Sequence, residues 1–364
     1  MLIKAPTTAL KALLSGVPLS LVLGTNRSYL CSGVRIYDVP EAPVLVCNVQ
    51  RHEEEHATLH RIAKDRKAPI FLFNELDVCV AWSYGNLNEH DSIRVLSFLT
   101  SYGEFYCGDF TPDASSVLDS FCFTIDPTQD VQGAKKIESI EIPFAHESWV
   151  SNSVSFIGVN DHQTVVLDDR DEGAVLERIV WASLESVFPL TLHKSPNITI
   201  GAKTRELTDV FAFYEHGCFL IEAKDLSILI SGTHRKRERR AKGTQKQAAS
   251  AIEQLVGAAK AVKRGEVVTD HNGRVLPLVI DQPLHCVVLL TELMHEGDWS
   301  EVEEALRKAC LDSGDFFHVF DLRELITLLK FSRGSPHRFD YNLIERWKCF
   351  MKSGNVLIRS RIKP

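Results

Sequence analysis

The second half of the chain alternates apolar runs with amphipathic segments in a definite order. Over 173–188, Leu176, Ile179, Val180, Leu184 and Val187 recur at three- and four-residue spacing. That spacing predicts a helix with one buried stripe, stopped at Pro189. Three β-type runs follow, at 197–202, 208–214 and 218–223, the last two joined by Glu215, His216 and Gly217 as a hairpin or meander. Next come a helix over about 244–263, an apolar strand at 285–290, a helix at 299–310, a strand at 316–320, and helices near 322–330 and 341–352. Between residues 21 and 144 the pattern is mostly short strands, at 34–39, 43–49, 69–73, 78–82 and 137–142, with two helical stretches between them. The polar stretch 146–170 reads as a connection, although 154–159 and 164–167 carry strand patterns. Two domains are therefore expected, 1–165 (α+β) and 166–364, with no internal repeat.

Composition narrows the class without naming a chemistry. The chain has 364 residues, 45% hydrophobic and 24% charged. These values describe an ordinary folded protein and argue against collagen, low complexity and disorder. No run reaches the ~18 uninterrupted apolar residues of a membrane span. The apolar run 9–23 is broken by Lys11, Gly16 and Pro18 and lacks a small-residue cleavage site, so a signal peptide is not expected. Nine cysteines, widely spread and without a C-x-x-C pair, read as reduced thiols in a cytoplasmic protein. The net charge of -7 gives no global pull toward nucleic acid or anionic membranes, so any nucleic-acid site must be a local patch.

One such patch exists. Arg235, Lys236, Arg237, Arg239, Arg240, Lys242 and Lys246 stand against Glu238 alone over 234–246, a local charge of +6. They follow a segment whose chemistry is unusual for a strand. The apolar run Phe219, Leu220, Ile221 ends in Glu222, Ala223 and Lys224. On a strand Glu222 and Lys224 share a face, and packing does not call for charges there, because burying an unpaired one is costly. A hairpin would carry Asp209 toward Glu222. Two carboxylates and the Ala223 carbonyl would then supply the hard oxygen ligands that Mg²⁺ prefers.

Asp209 followed by Glu222-Ala223-Lys224 resembles the PD-(D/E)XK signature of the restriction-endonuclease-like nuclease superfamily, and the segment from Gln247 to Leu255 is similar to a helix of its Mrr-like, Holliday-junction-resolvase-like and nuclease-related branches. The Pro of the signature is absent, Thr208 standing before Asp209. The resemblance covers about a third of the chain. It implies an α/β fold, a restriction-endonuclease-like αβββαβ core with an N-terminal α+β accessory domain, and a Mg²⁺- or Mn²⁺-dependent deoxyribonuclease. By that resemblance Asp209, Glu222 and Ala223 hold the metal and Lys224 orients or activates the attacking water. Gln247, with Gln245 as second choice, faces the site from the following helix. Glu177 on the first helix would complete the metal site, in competition with Glu185, while Glu206 would need a bend at Thr208 to join it. Roles in phage defence, restriction or repair follow only from the resemblance. The expected partners are DNA, held by Arg235, Lys236, Arg237, Arg239, Arg240 and Lys242, and a protein recognised by residues 1–165; a homodimer is compatible with both.

Two other readings compete with a nuclease. The fold could serve as a DNA-binding or assembly protein without cleavage. His52-Glu53-Glu54-Glu55-His56 also fits the H-E-x-x-H pattern of zinc peptidases, in which two His one helical turn apart bind Zn²⁺. That segment is polar nearly all round, relieved mainly by Leu59 and Ile62, and a solvated helix is the expected structure. There is no Gly-rich phosphate loop and no G-x-S-x-G elbow.

Overall fold

The computed structural model describes residues 1–26, 28–126, 133–225, 237–278 and 282–361. Its described residues form two compact units that divide between Asn152 and Ser153. The first unit contains β1 (Leu2–Lys4), α1 (Thr7–Leu14), β2 (Leu19–Asn26), β3 (Tyr29–Ile36), β4 (Val44–Gln50) and α2 (Glu53–Asp65). It continues with β5 (Lys67–Phe73), β6 (Cys79–Asn86), α3 (Glu89–Thr100), α4 (Pro112–Ile125), β7 (Glu138–Pro143), β8 (Ala145–His146) and β9 (Val150–Ser151). These strands build two sheets, β1-β5-β6-β8 with β9 also on β6, and β4-β3-β2-β7. α4 packs its Phe121 so closely on β2 that a Cβ at Gly24 would lie 2.3 Å from the ring. Only glycine fits there. The mixed strand and helix pattern expected of this half is what forms.

The second unit contains β10 (Val154–Ile157), β11 (His162–Val165), α5 (Glu172–Leu184), β12 (Leu192–Lys194), β13 (Asn197–Ile200), β14 (Lys203–Glu206), β15 (Val210–Tyr214) and β16 (Gly217–Lys224). After them come α6 (Arg237–Lys263), β17 (Val267–Thr269), β18 (His285–Leu290), α7 (Ser300–Ser313), β19 (Phe316–Asp321), α8 (Leu322–Ser332) and α9 (Pro336–Ser353). The hairpin β10-β11 belongs to this unit, so it begins ahead of the expected boundary at 165. Its main sheet runs β12-β15-β16-β18-β19. β12 and β16 are antiparallel to β15, while β16, β18 and β19 are parallel. Parallel neighbours need a crossover, and α6 lies in the one between β16 and β18. β16 and β18 are buried nearly throughout, which is why residues 218–221 and 286–290 are unbroken apolar runs without alternation.

One strand differs from expectation. The run at 197–202 does not enter the main sheet; its core forms β13, which pairs with β14 and β17 in a separate three-stranded sheet. The main sheet takes β12 instead, which has one fully buried residue, Leu192. Three residues with a single buried side chain leave no periodicity to read. The chain separates β12 from β13 at Ser195, whose φ of 46° is left-handed.

The two faces of the main sheet have different partners. Cys218 and Leu220 of β16 join the core against Ala248, Ala251, Ile252 and Leu255 of α6 and Val302 and Leu306 of α7. Phe219 points the other way, its ring 5.0 Å from Phe188 and 5.5 Å from Phe339. Burying such a side chain contributes about 2 kcal/mol.

Candidate active site

The hairpin β15-β16 positions the carboxylates. Its register runs from Tyr214↔Gly217 to Val210↔Ile221, leaving Glu215 and His216 as a two-residue turn. Because β-strand side chains alternate, Glu222 and Lys224 follow Cys218 and Leu220 onto the α6 face. The ladder ends at Val210, and Asp209 sits at a bend just before it. Two bonds fix that bend: the Thr208 hydroxyl donates to the Ile221 carbonyl at 2.8 Å, and the Ser195 N–H donates to the Asp209 carbonyl at 2.8 Å. Asp209 is thereby turned toward β16, where its Oδ2 accepts the Ala223 N–H at 2.7 Å.

Lys224 closes the group. Its Nζ donates to Glu222 Oε2 at 2.9 Å and lies 3.9 Å from Asp209 Oδ2. Glu177 approaches from α5 with its Oε2 3.1 Å from Lys194 Nζ on β12. The structure therefore brings together Asp209, Glu222 and Lys224, with Glu177 near enough for its charge to act on Asp209 and Lys224, and Lys194 is the ion-pair partner of Glu177. Sequence patterns did not single out Lys194, since it lies on the three-residue strand. The rivals of Glu177 are elsewhere: Glu185 accepts the Val159 N–H at 3.1 Å, and Glu206 is exposed on β14, opposite Asn197.

The electrostatics follow from burial and like charge. Burial, then the Glu222 charge, push the Asp209 carboxyl up to about 7, against the opposing effects of Lys224 and the Ala223 hydrogen bond; Glu177 adds to the rise. For Lys224 burial pulls the ammonium down, but the hydrogen bond and charge of Glu222 with the charges of Asp209 and Glu177 outweigh it and hold it above its usual value. A lysine held cationic in this way donates and orients. It is not a proton-accepting base at neutral pH.

The donor set suits a hard divalent cation. Ala223 directs its N–H to the β15 side of β16, and the N–H and C=O of a strand residue point the same way, so its carbonyl emerges beyond the last rung on the Asp209 side. Two carboxylates and a carbonyl match the oxygen preference of Mg²⁺ and Mn²⁺.

The other expected residues are placed differently. Gln247 is exposed on the flank of α6 and has no hydrogen bond to the carboxylate group. Gln245, the second choice, is half-buried, with its Nε2 2.4 Å from where a Cβ on Gly297 would lie and without a partner among the described residues. Of the basic run, Arg235 and Lys236 lie outside the described residues, and Arg237 begins α6. Arg239, Lys242 and Lys246 are exposed on that helix. Arg240 is a correction: only 8% exposed, it is part of the buried side of α6 and not a free phosphate contact. The helix starts seven residues before the expected 244 because its basic first turns carry no apolar periodicity.

His52 and His56 do not form the helical pair of a zinc peptidase. His52 is the N-cap of α2, with extended backbone, and its N–H donates to Glu55 at 3.2 Å. The His56 ring bonds the Gln50 carbonyl at 3.1 Å and faces Cys107 Sγ at 3.8 Å. α2 buries only Leu59, Ile62 and Ala63, as expected of a solvated helix. Searches for related proteins found no family model that matches the chain and no curated protein that matches it.

Proposed function

We propose that this chain is a divalent-metal-dependent deoxyribonuclease built on a restriction-endonuclease-like αβββαβ core. The succession α5, β12, β15, β16, α6, β18, with two antiparallel pairings and one parallel pairing, supports that fold. The observation that carries the function is the convergence of Asp209, Glu222 and Lys224 on one face of a buried hairpin, where charges have no packing role.

Asp209, Glu222 and the Ala223 carbonyl would hold Mg²⁺ or Mn²⁺, with Glu177 beside them. Such an ion, when bound, polarises the scissile phosphate and neutralises charge building on it. Lys224 donates a hydrogen bond to the attacking water and holds it in line with phosphorus. As the water oxygen bonds to phosphorus it gives up a proton to solvent, one P–O ester bond breaks, and the departing sugar oxygen takes up a proton from solvent. Lys194 holds Glu177 in place through its 3.1 Å ion pair. Arg239 and Lys242 offer exposed cations for the phosphate backbone, which position a duplex without reading its sequence. A role in phage defence, restriction or repair, a partner for residues 1–165, and a cytoplasmic location rest on sequence alone.

Linear, nicked, supercoiled and single-stranded DNA incubated with Mg²⁺, Mn²⁺ or EDTA tests this reading. Product with either metal, absent in EDTA and in Glu222→Gln, is the expected result. DNA binding without product under all conditions would replace it with the non-cleaving DNA-binding protein.

A further inference from the structure

A second group of metal-ligating side chains lies at the opposite end of the same hairpin. Glu215 and His216 form the turn between β15 and β16, and His337 stands in the first turn of α9. All three are exposed, and one ligand atom from each lies within 4.8 Å of the others. Five residues along β15 separate this turn from Asp209, about 17 Å at the rise of a strand. The two places are distinct, and this inference does not rest on the nuclease reading.

The imidazoles are held in place. His216 and His337 have ring centroids 5.3 Å apart, and Tyr214 presents edge contacts to both, at 5.9 and 5.0 Å. Tyr214 in turn stacks on the buried Phe219 at 6.1 Å. Glu215 Oε1 and His216 Nε2 already lie 2.6 Å apart, in direct contact with each other. One helical turn beyond His337, Asp340 is anchored by a 2.6 Å hydrogen bond with His285, which contacts His318 at 3.2 Å. Asp340 thereby ties the first turns of α9 to the buried His285 of β18, which fixes the element that carries His337.

We propose that Glu215, His216 and His337 form a binding site for a borderline divalent transition metal of the Zn²⁺ class. Two imidazoles and one carboxylate are the donors such an ion takes, three protein ligands leaving a fourth position for water, whereas Mg²⁺ prefers oxygen alone. The ion would clamp the hairpin turn to the start of α9, a contact between segments far apart in sequence. Because it binds the folded state only, it stabilises that state by mass action.

The test uses the full chain, stripped with EDTA and dialysed, titrated with Zn²⁺ by calorimetry and with Co²⁺ by visible absorption. The expected result has one ion per chain binding at this place, a rise in thermal midpoint, and affinity weakened by at least about tenfold in His216→Ala and in His337→Ala. His52→Ala/His56→Ala should bind as the wild type does, which separates this site from the imidazoles of α2. Millimolar Mg²⁺ should leave the Co²⁺ spectrum unchanged, which separates it from the carboxylates near Lys224. These substitutions are on the surface, and circular dichroism checks that folding survives. No binding by the wild type, or equal binding by His216→Ala/His337→Ala, overturns the proposal.

Discussion

Replacing Asp209 by Asn should make the metal-free protein more stable above neutral pH while abolishing its cleavage. Asn keeps an oxygen for the Ala223 N–H, which donates to Asp209 Oδ2 at 2.7 Å, and removes the charge that burial and Glu222 oppose. A carboxyl whose pKa rises from 3.8 to about 7 on folding binds more protons folded than unfolded between those values. Stability therefore falls as pH rises through that window, and the full penalty is present above about 7. A rise of about 3 units corresponds to about 4 kcal/mol at 1.36 kcal/mol per unit. The new amide has its own desolvation cost of about 1–3 kcal/mol, so the net gain at pH 8 is about 2 kcal/mol. At about 2–4 °C per kcal/mol for a domain this size, the thermal midpoint should rise by about 4–8 °C. The measurement is thermal unfolding in EDTA from pH 5 to 9, followed by calorimetry. The gain should shrink toward pH 5, and saturating Mg²⁺ should reverse it by binding the wild type more tightly than the variant. A variant no more stable than wild type at pH 8, with the same pH slope, would refute the account of this carboxylate.

Three further outcomes can be checked directly. Glu222→Gln and Lys224→Ala should each lower the cleavage rate by at least about 100-fold, in the range for lost transition-state contacts, with circular dichroism unchanged; full activity in both would refute the assignment. Arg239→Gln with Lys242→Gln should flatten the slope of log K against log salt by about 1.8, from two lost phosphate contacts at about 0.9 each; an unchanged slope would send DNA to another face. His52→Ala, Glu53→Ala and His56→Ala should leave cleavage unaltered, and a loss in any of them would tie α2 to the chemistry.

How much of this was legible in the sequence depended on how each residue signals itself. α5, α6, β15, β16 and β18 were readable because their apolar residues recur with a period or in unbroken runs. Glu222 and Lys224 stood out because two charges closed an apolar strand. β12 was not readable, and Lys194 went unseen with it, since three residues carry no period. The placement of Asp209 depends on Thr208 and Ser195, whose hydrogen bonds reach across strands and leave no local trace. Arg240 looks like its neighbours in the basic run, and only the rotation of α6 separates it as buried.

The hairpin also orders events in time. Asp209 reaches Ala223 across 14 residues, whereas the contact from Thr291 to Asp225, which docks the chain after β18 beside the hairpin, spans 66. Closing the longer loop costs about 1.4 kcal/mol more in chain entropy. The two acids can therefore meet while water still screens them, and their repulsion grows only when α6 and β18 exclude that water. A cost that arises after the folding barrier is expressed in the unfolding rate. Raising the pH from 5 to 8 without metal should thus quicken unfolding and leave refolding nearly constant, a chevron asymmetry that stopped-flow measurement reads, and a refolding arm that moves instead would place the burial of these acids before the barrier.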